Sequence, residues 1–193
     1  MEDINMPNRE MVEIDTRSNL YKHFPRNGVG AEIGVCRGVN AANLFLATRP
    51  KKLHLVDIWA RDKITEIYHQ RDLHYNDWEQ DVRLLFEVEI QSGEVEIHRK
   101  TGIAFLNSCQ DASLDWIYID GDHSYENLSR ELRLAVSKVK VGGVIAGHDF
   151  VVHKGWDSGV VRAVMNEIQR ATMTMKMITN EEFPSYLCTV GSL

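Results

Sequence analysis

The chain has 193 residues, enough for one domain with a full apolar core and too few for two ordinary ones. Its 28 Asp and Glu against 22 Lys and Arg leave a net charge of −6, with no basic stripe to track phosphates, so nucleic acid is not the expected partner. No apolar run is long enough to span a membrane, and the polar start, Met1 to Glu10, lacks the apolar core of a secretory signal. A cytoplasmic location is therefore expected. The three cysteines, Cys36, Cys109 and Cys188, are scattered without a Cys-x-x-Cys pair, which argues against a disulfide framework or a structural zinc.

After an N-terminal arm, residues 1–27, strands and helices alternate along the chain. Ala31 to Val35 reads as a strand entered through a Gly28-Val29-Gly30 turn. Gly38 opens a helix that runs to about Thr48, where Pro50 prevents its continuation. Leu53 to Ile58 alternates and contains Asp57 near its end, as a second strand would. Residues 60–75 fit neither period and form either a surface loop or a substrate lid. Asn76-Asp77-Trp78-Glu79 has the form of a capping box, with Trp78, Val82, Leu85 and Glu89 at helical spacing behind it.

Glu94 to His98 is the third strand and Trp116 to Ile119 the fourth. A helix with Leu128, Leu132, Ala135, Val136 and Val139 on one stripe is expected to stop at Gly142-Gly143. Val144 to Ala146 is the fifth strand, and Asp157 is expected to cap a helix carrying Val160, Val161, Val164 and Ile168. Two further strands flank a turn at Glu181 to Pro184. Strict alternation of this kind predicts an α/β fold, a doubly wound and mostly parallel sheet with helices on both faces.

Two of the strands run straight into functional side chains. Trp116-Ile-Tyr-Ile leads to Asp120-Gly-Asp122-His123, and Gly143-Val-Ile-Ala-Gly147 leads to His148-Asp149. Ligands of open α/β sheets sit beyond the carboxyl ends of the strands, so neighbouring strands of this type would aim all five groups at one small volume. Carboxylate and imidazole together suit a divalent metal, a general base, or both. Asp122 has a second reading, as a cap for the helix that begins near Ser124.

A glycine loop lies at the other half of the expected site. Glu32-Ile-Gly34-Val-Cys-Arg-Gly38 sits where the first strand turns into the first helix, and glycines there let the backbone approach a ligand. Asp57 follows about twenty residues on, where an acid accepts hydrogen bonds from ribose hydroxyls. The dinucleotide fingerprint needs a third glycine at a spacing that this loop lacks, so a cofactor without phosphates fits better.

Together these motifs resemble class I S-adenosylmethionine-dependent methyltransferases. The Asp120-Gly-Asp122-His123-Ser-Tyr125-Glu126 run, the Gly142-to-Phe150 run and Gly159-Val-Val-Arg162-Ala163 are similar to the metal-dependent, macrocin-type sugar O-methyltransferases and their bacterial relatives. The resemblance covers about residues 28 to 170. It implies a Rossmann-like, seven-stranded sheet with an antiparallel last strand. It implies S-adenosylmethionine as cofactor, touched by Glu32, Gly34, Gly38, Asp57, Ile58 and Asp120, with Thr101 and Gly102 beside the adenine. It implies Mg²⁺ or Mn²⁺ on Asp120, His148 and Asp149, although relatives often carry a carboxylate at the His148 position. His123 or Asp122 would take the proton from a small hydroxylated acceptor. The short arm and modest insert leave a pocket that is open or completed by a second copy of the chain.

Competing readings are a nicotinamide-dependent oxidoreductase, a metal-dependent hydrolase and an inactive cofactor-binding module. The missing third glycine and the lack of a Tyr-x-x-x-Lys pair speak against the first. The second has no use for Gly34 and Asp57. The third differs from an active enzyme only in the reactivity of the acidic and imidazole cluster.

Overall fold

The computed structural model describes residues 11–60, 76–153, 156–157 and 159–191. Among them an eight-stranded sheet and seven helices are formed. The elements are β1 (Val12–Ile14), α1 (Arg17–Leu20), β2 (Val29–Ile33), α2 (Val39–Thr48), β3 (Lys52–Asp57), α3 (Asn76–Leu85), α4 (Glu87–Ser92) and β4 (Val95–Arg99). They continue with α5 (Gly102–Ser108), β5 (Leu114–Ile119), α6 (Tyr125–Lys138), β6 (Val139–Gly147), the short pair β7 (Val152–His153) and β8 (Trp156–Asp157), α7 (Val160–Gln169), β9 (Met173–Thr179) and β10 (Tyr186–Val190).

The sheet order is β1-β9-β10-β6-β5-β2-β3-β4. Only β10 runs against its neighbours, β6 and β9, so the expected antiparallel last strand is present. The count differs from seven because Val12–Ile14, read as part of the arm, pairs parallel with β9. A three-residue edge strand has too few side chains to show an alternation in sequence.

Central parallel strands are buried on both faces and read as apolar runs, and β5 shows how one strand serves two cores. Ile117 and Ile119 enter a cluster with Ile33, Leu132 and Val164. Trp116 and Tyr118 face the other way, into a cluster with Tyr21, Leu44, Leu55 and Val144. On that second face Gly30 lies within β2, not in a turn before it. A Cβ there would stand 2.1 Å from the Trp116 indole, so the glycine is the space that the ring fills.

Three local expectations change. Helix α3 ends at Leu85, which is 49% exposed, and Phe86 takes the buried position one turn after Val82. Helix α6 ends at Lys138, and β6 already begins at Val139, where Leu114 pairs with Val139 before the register slips to Trp116 and Val144. The residues from 140 to 143 bulge out of the pairing, so the two glycines serve the strand and not a helix stop. Gly159, at φ +75°, is the N-cap of α7 without any side-chain cap, and Asp157 lies in β8. Except for Ala60, the candidate lid at 60–75 is outside the described residues, as are the side chains of Asn76 and Asp77.

Candidate active site

The acidic and imidazole cluster assembles because β5 and β6 are neighbours and end at the same level, with Ile119 paired to Gly147. Asp120 and His148 each follow their strand end directly. Asp149 adopts φ +57°, and its backbone turn brings the carboxylate back toward Asp120. His123 Nδ1 is 2.9 Å from Asp149 Oδ2, and its Nε2 is 3.4 Å from Asp120 Oδ1. The second contact is an ion-pair approach without hydrogen-bond alignment, which leaves the buried Nε2 without a hydrogen-bond partner. His148 Nδ1 reaches both acids, at 3.2 Å from Asp149 Oδ1 and 3.7 Å from Asp120 Oδ1.

Charge decides the protonation of this group. Burial works against a charged His123, but the Asp120 and Asp149 carboxylates outweigh it and raise its pKa to about 10. Burial likewise opposes ionisation of Asp149, and contacts with His123 and His148 overcome it, holding the acid far below its ordinary range. At neutral pH an imidazolium therefore stands between two carboxylates. Asp120, His123 and Asp149 offer ligand atoms within 4.8 Å of one another, a donor set that fits a divalent cation.

Asp122 is outside this group. It is exposed, and its Oδ1 accepts from the Ser124 backbone N–H at 2.9 Å, so it supports the start of α6. Ser124 itself is the N-cap. The Gly159-to-Ala163 run backs onto the same turn: a Cβ at Gly159 would stand 2.4 Å from the Tyr125 amide nitrogen, and the Arg162 guanidinium lies 3.6 Å from the Tyr125 ring centroid. Those motif residues hold the beginning of α6 in place.

The glycine loop meets the cluster through backbone. Gly34 has φ +87°, and a Cβ on it would lie 2.1 Å from the Asp120 carbonyl oxygen. Gly38, the N-cap of α2 at φ +83°, passes close to Val82. Asp57, at the end of β3, accepts from the Cys36 N–H and the Trp59 N–H, each at 2.9 Å. Its carboxylate thus fixes the loop, and each oxygen keeps a lone pair for a ligand. Ile58 is half-buried beside it. Thr101 caps α5, accepting from the Ala104 N–H at 3.2 Å, with buried Gly102 next to it.

Glu32 is fully buried at the end of β2. Asn40 Nδ2 donates to its Oε1 at 2.7 Å, while Oε2 has no partner. Burial outweighs the Asn40 hydrogen bond and pushes the acid up to about 8. Tyr21 hydrogen-bonds to Asn40 from the arm. Arg17, also from the arm, brings its guanidinium within 3.8 Å of Asp120 and lines a cleft of about 290 Å³ with Tyr21, Asn40 and Glu181. Sequence reasoning missed both arm residues, because nothing local in positions 1–27 marks them as part of the site.

Comparison with known proteins bears on the fold and the family. No curated protein matches the chain in sequence. Solved structures share its fold at low identity. A Streptococcus mutans protein assigned as a methyltransferase and solved in complex with SAH has a TM-score of 0.61 at 10% identity, covering 90% of this chain and 94% of that one. An rRNA methylase from Streptococcus thermophilus has a TM-score of 0.61 at 9% identity, covering 91% and 94%. An O-methyltransferase family protein from Burkholderia thailandensis has a TM-score of 0.61 at 10% identity, covering 91% of this chain and 55% of that one. In sequence, the family described as a methyltransferase domain matches residues 31–150, a span that contains the glycine loop, Asp57 and the whole Asp120–Asp149 cluster, and the chain belongs to that family.

Proposed function

We propose that the protein is an S-adenosylmethionine-dependent O-methyltransferase acting on a small hydroxylated molecule, such as a sugar or glycoside, with a divalent cation, Mg²⁺ or Mn²⁺. The observation that carries the reading is the junction of Gly34 with Asp120, which sets a glycine loop and an Asp–His–Asp cluster side by side at the strand ends. Family membership favours methyl transfer over the oxidoreductase and hydrolase readings, and the SAH-bound structural neighbour suggests the cofactor.

Asp57 would accept from the ribose hydroxyls, and Gly34 and Gly38 leave room for the methionine moiety of a phosphate-free cofactor. The unpartnered buried oxygen of Glu32 suits an ammonium group nearby. Asp120 and Asp149, with His148 reaching both, would hold the cation. When bound, such an ion lowers the pKa of a coordinated hydroxyl and orients it. His123 in its neutral form would take the proton at Nε2, the buried nitrogen without a hydrogen-bond partner. Alignment of the oxygen with the methyl carbon supplies much of the remaining acceleration. The Arg17–Glu181 cleft, polar and next to Asp120, is the place for the acceptor.

Calorimetry with S-adenosylhomocysteine tests this reading. Wild type should bind it, and Asp57→Asn, which keeps one acceptor for the loop, should weaken binding. Methyl transfer to hydroxylated acceptors should then require added Mg²⁺ or Mn²⁺. Binding of NAD⁺ in place of the homocysteine would overturn the proposal, and cofactor binding with metal-independent inactivity would leave only a binding module.

A further inference from the structure

Strands β3 and β4, at the edge of the sheet, carry a second group of metal-binding side chains that shares no residue with the site above. His54 pairs in register with Glu96, and His98 follows two residues later, so all three project from one face. His54 Nδ1 stands 3.0 Å from His98 Nε2. The Glu96 carboxylate spans the pair, with Oε2 at 3.9 Å from His54 Nδ1 and Oε1 at 3.7 Å from His98 Nε2. Zinc bonds of about 2.0–2.1 Å at tetrahedral angles set ligand atoms roughly 3.3 Å apart. The three separations, 3.0, 3.7 and 3.9 Å, lie around that spacing, the last two measured from the two different oxygens of Glu96, and one ligand atom from each residue lies within 4.8 Å of the others.

The surroundings favour metal-competent ligands. Phe105 packs on both imidazoles, with ring centroids 5.5 Å from His54 and 5.0 Å from His98, and so restricts their rotation. Burial lowers the pKa of both rings, that of His54 to about 4, which keeps them neutral as ligation requires. Lys52 holds Glu96 Oε2 at 2.9 Å and donates to the Gly93 carbonyl at 3.0 Å through its Nζ, and the Lys100 charge also acts on His98. Oε1 is the oxygen left toward His98.

We propose that His54, Glu96 and His98 form a second divalent-metal site, taking a borderline transition ion of the zinc class and not magnesium. Two imidazoles and one carboxylate select such an ion, whereas Mg²⁺ demands an octahedral oxygen shell. Bound there, the ion would clip edge strand β4 to β3.

The test uses the full chain and Zn²⁺ alone, titrated against a chromophoric chelator. Wild type and Asp149→Asn should both retain this site, and His54→Gln and His98→Gln should lose it. Removing even an outer partner of a metal ligand costs about 10–100-fold in affinity, so loss of a ligand should cost no less. Millimolar Mg²⁺ should not compete. Imidazole NMR signals of the wild type give a second readout that is independent of any variant's folding: those of His54 and His98 should shift with the zinc. Unchanged zinc affinity and stoichiometry in the folded glutamine variants would overturn the site and leave a plain hydrogen-bonded histidine pair. Zinc-induced shifts confined to His123 and His148 would overturn it equally.

Discussion

Gly34 and Asp120 touch through backbone alone: a Cβ on the glycine would lie 2.1 Å from the carbonyl oxygen of the aspartate. The loop expected to meet the cofactor and the strand end expected to meet the metal are therefore one rigid junction. Residue 34 also has φ +87°, a conformation that costs a residue with a side chain about 1–3 kcal/mol even without a clash. Gly34→Ala should lower the unfolding free energy measured by urea denaturation by at least that amount and displace Asp120, so that binding of S-adenosylhomocysteine and of Mn²⁺ weaken together. Loss of one without the other would argue that the junction does not couple them.

Gly30→Ala tests the same strand from its other side. The new methyl would overlap the Trp116 indole, which is fully buried and has no room to turn. Overpacking of this kind costs about 1–3 kcal/mol. Chemical denaturation should register it, and Gly30→Ala with Trp116→Phe should recover part of the loss.

Stability should fall as pH rises. His123, with its pKa raised to about 10 from an ordinary 6.5, contributes stability that is complete below 6.5 and is lost as pH climbs through 10. Glu32, raised to about 8 from 4.5, has the same sign: the folded protein keeps its proton while the unfolded chain gives it up, so stability drains between those values. Asp149 has the opposite sign at the acid end, since its depressed pKa gives stability above about 3.8 that is lost as pH falls. Urea midpoints measured from pH 4.5 to 10 should decline. His123→Gln should flatten the upper part of that curve and Glu32→Gln the lower.

The His123 proton and a cation compete for the same two carboxylates. Mn²⁺ affinity, followed by electron paramagnetic resonance, should therefore rise with pH toward 10, and binding should release protons into a weakly buffered solution. Asp149→Asn removes one acid from this group and should weaken Mn²⁺ by about 10–100-fold or more. A pH-independent affinity would place the cation elsewhere.

Sequence by itself determined the α/β class, the order of the central elements and the strand ends at Asp57, Asp120 and His148, because a two-residue alternation, apolar runs and glycine turns are local properties of the chain. It also singled out Asp120, His123 and Asp149, since acids and imidazoles seldom follow a buried strand without a task. Only tertiary structure decided that β1 joins the sheet, that Asp122 supports a helix start while His123 bridges two acids, and that Arg17 and Tyr21 reach the site from the arm. The pairing of His54 with His98 was equally out of reach, because the two residues are 44 positions apart and meet only through the register of β3 with β4. The physical reason is the same in each case: side-chain direction depends on backbone angles such as φ +57° at Asp149, and on strand neighbours distant in sequence, neither of which a local pattern encodes.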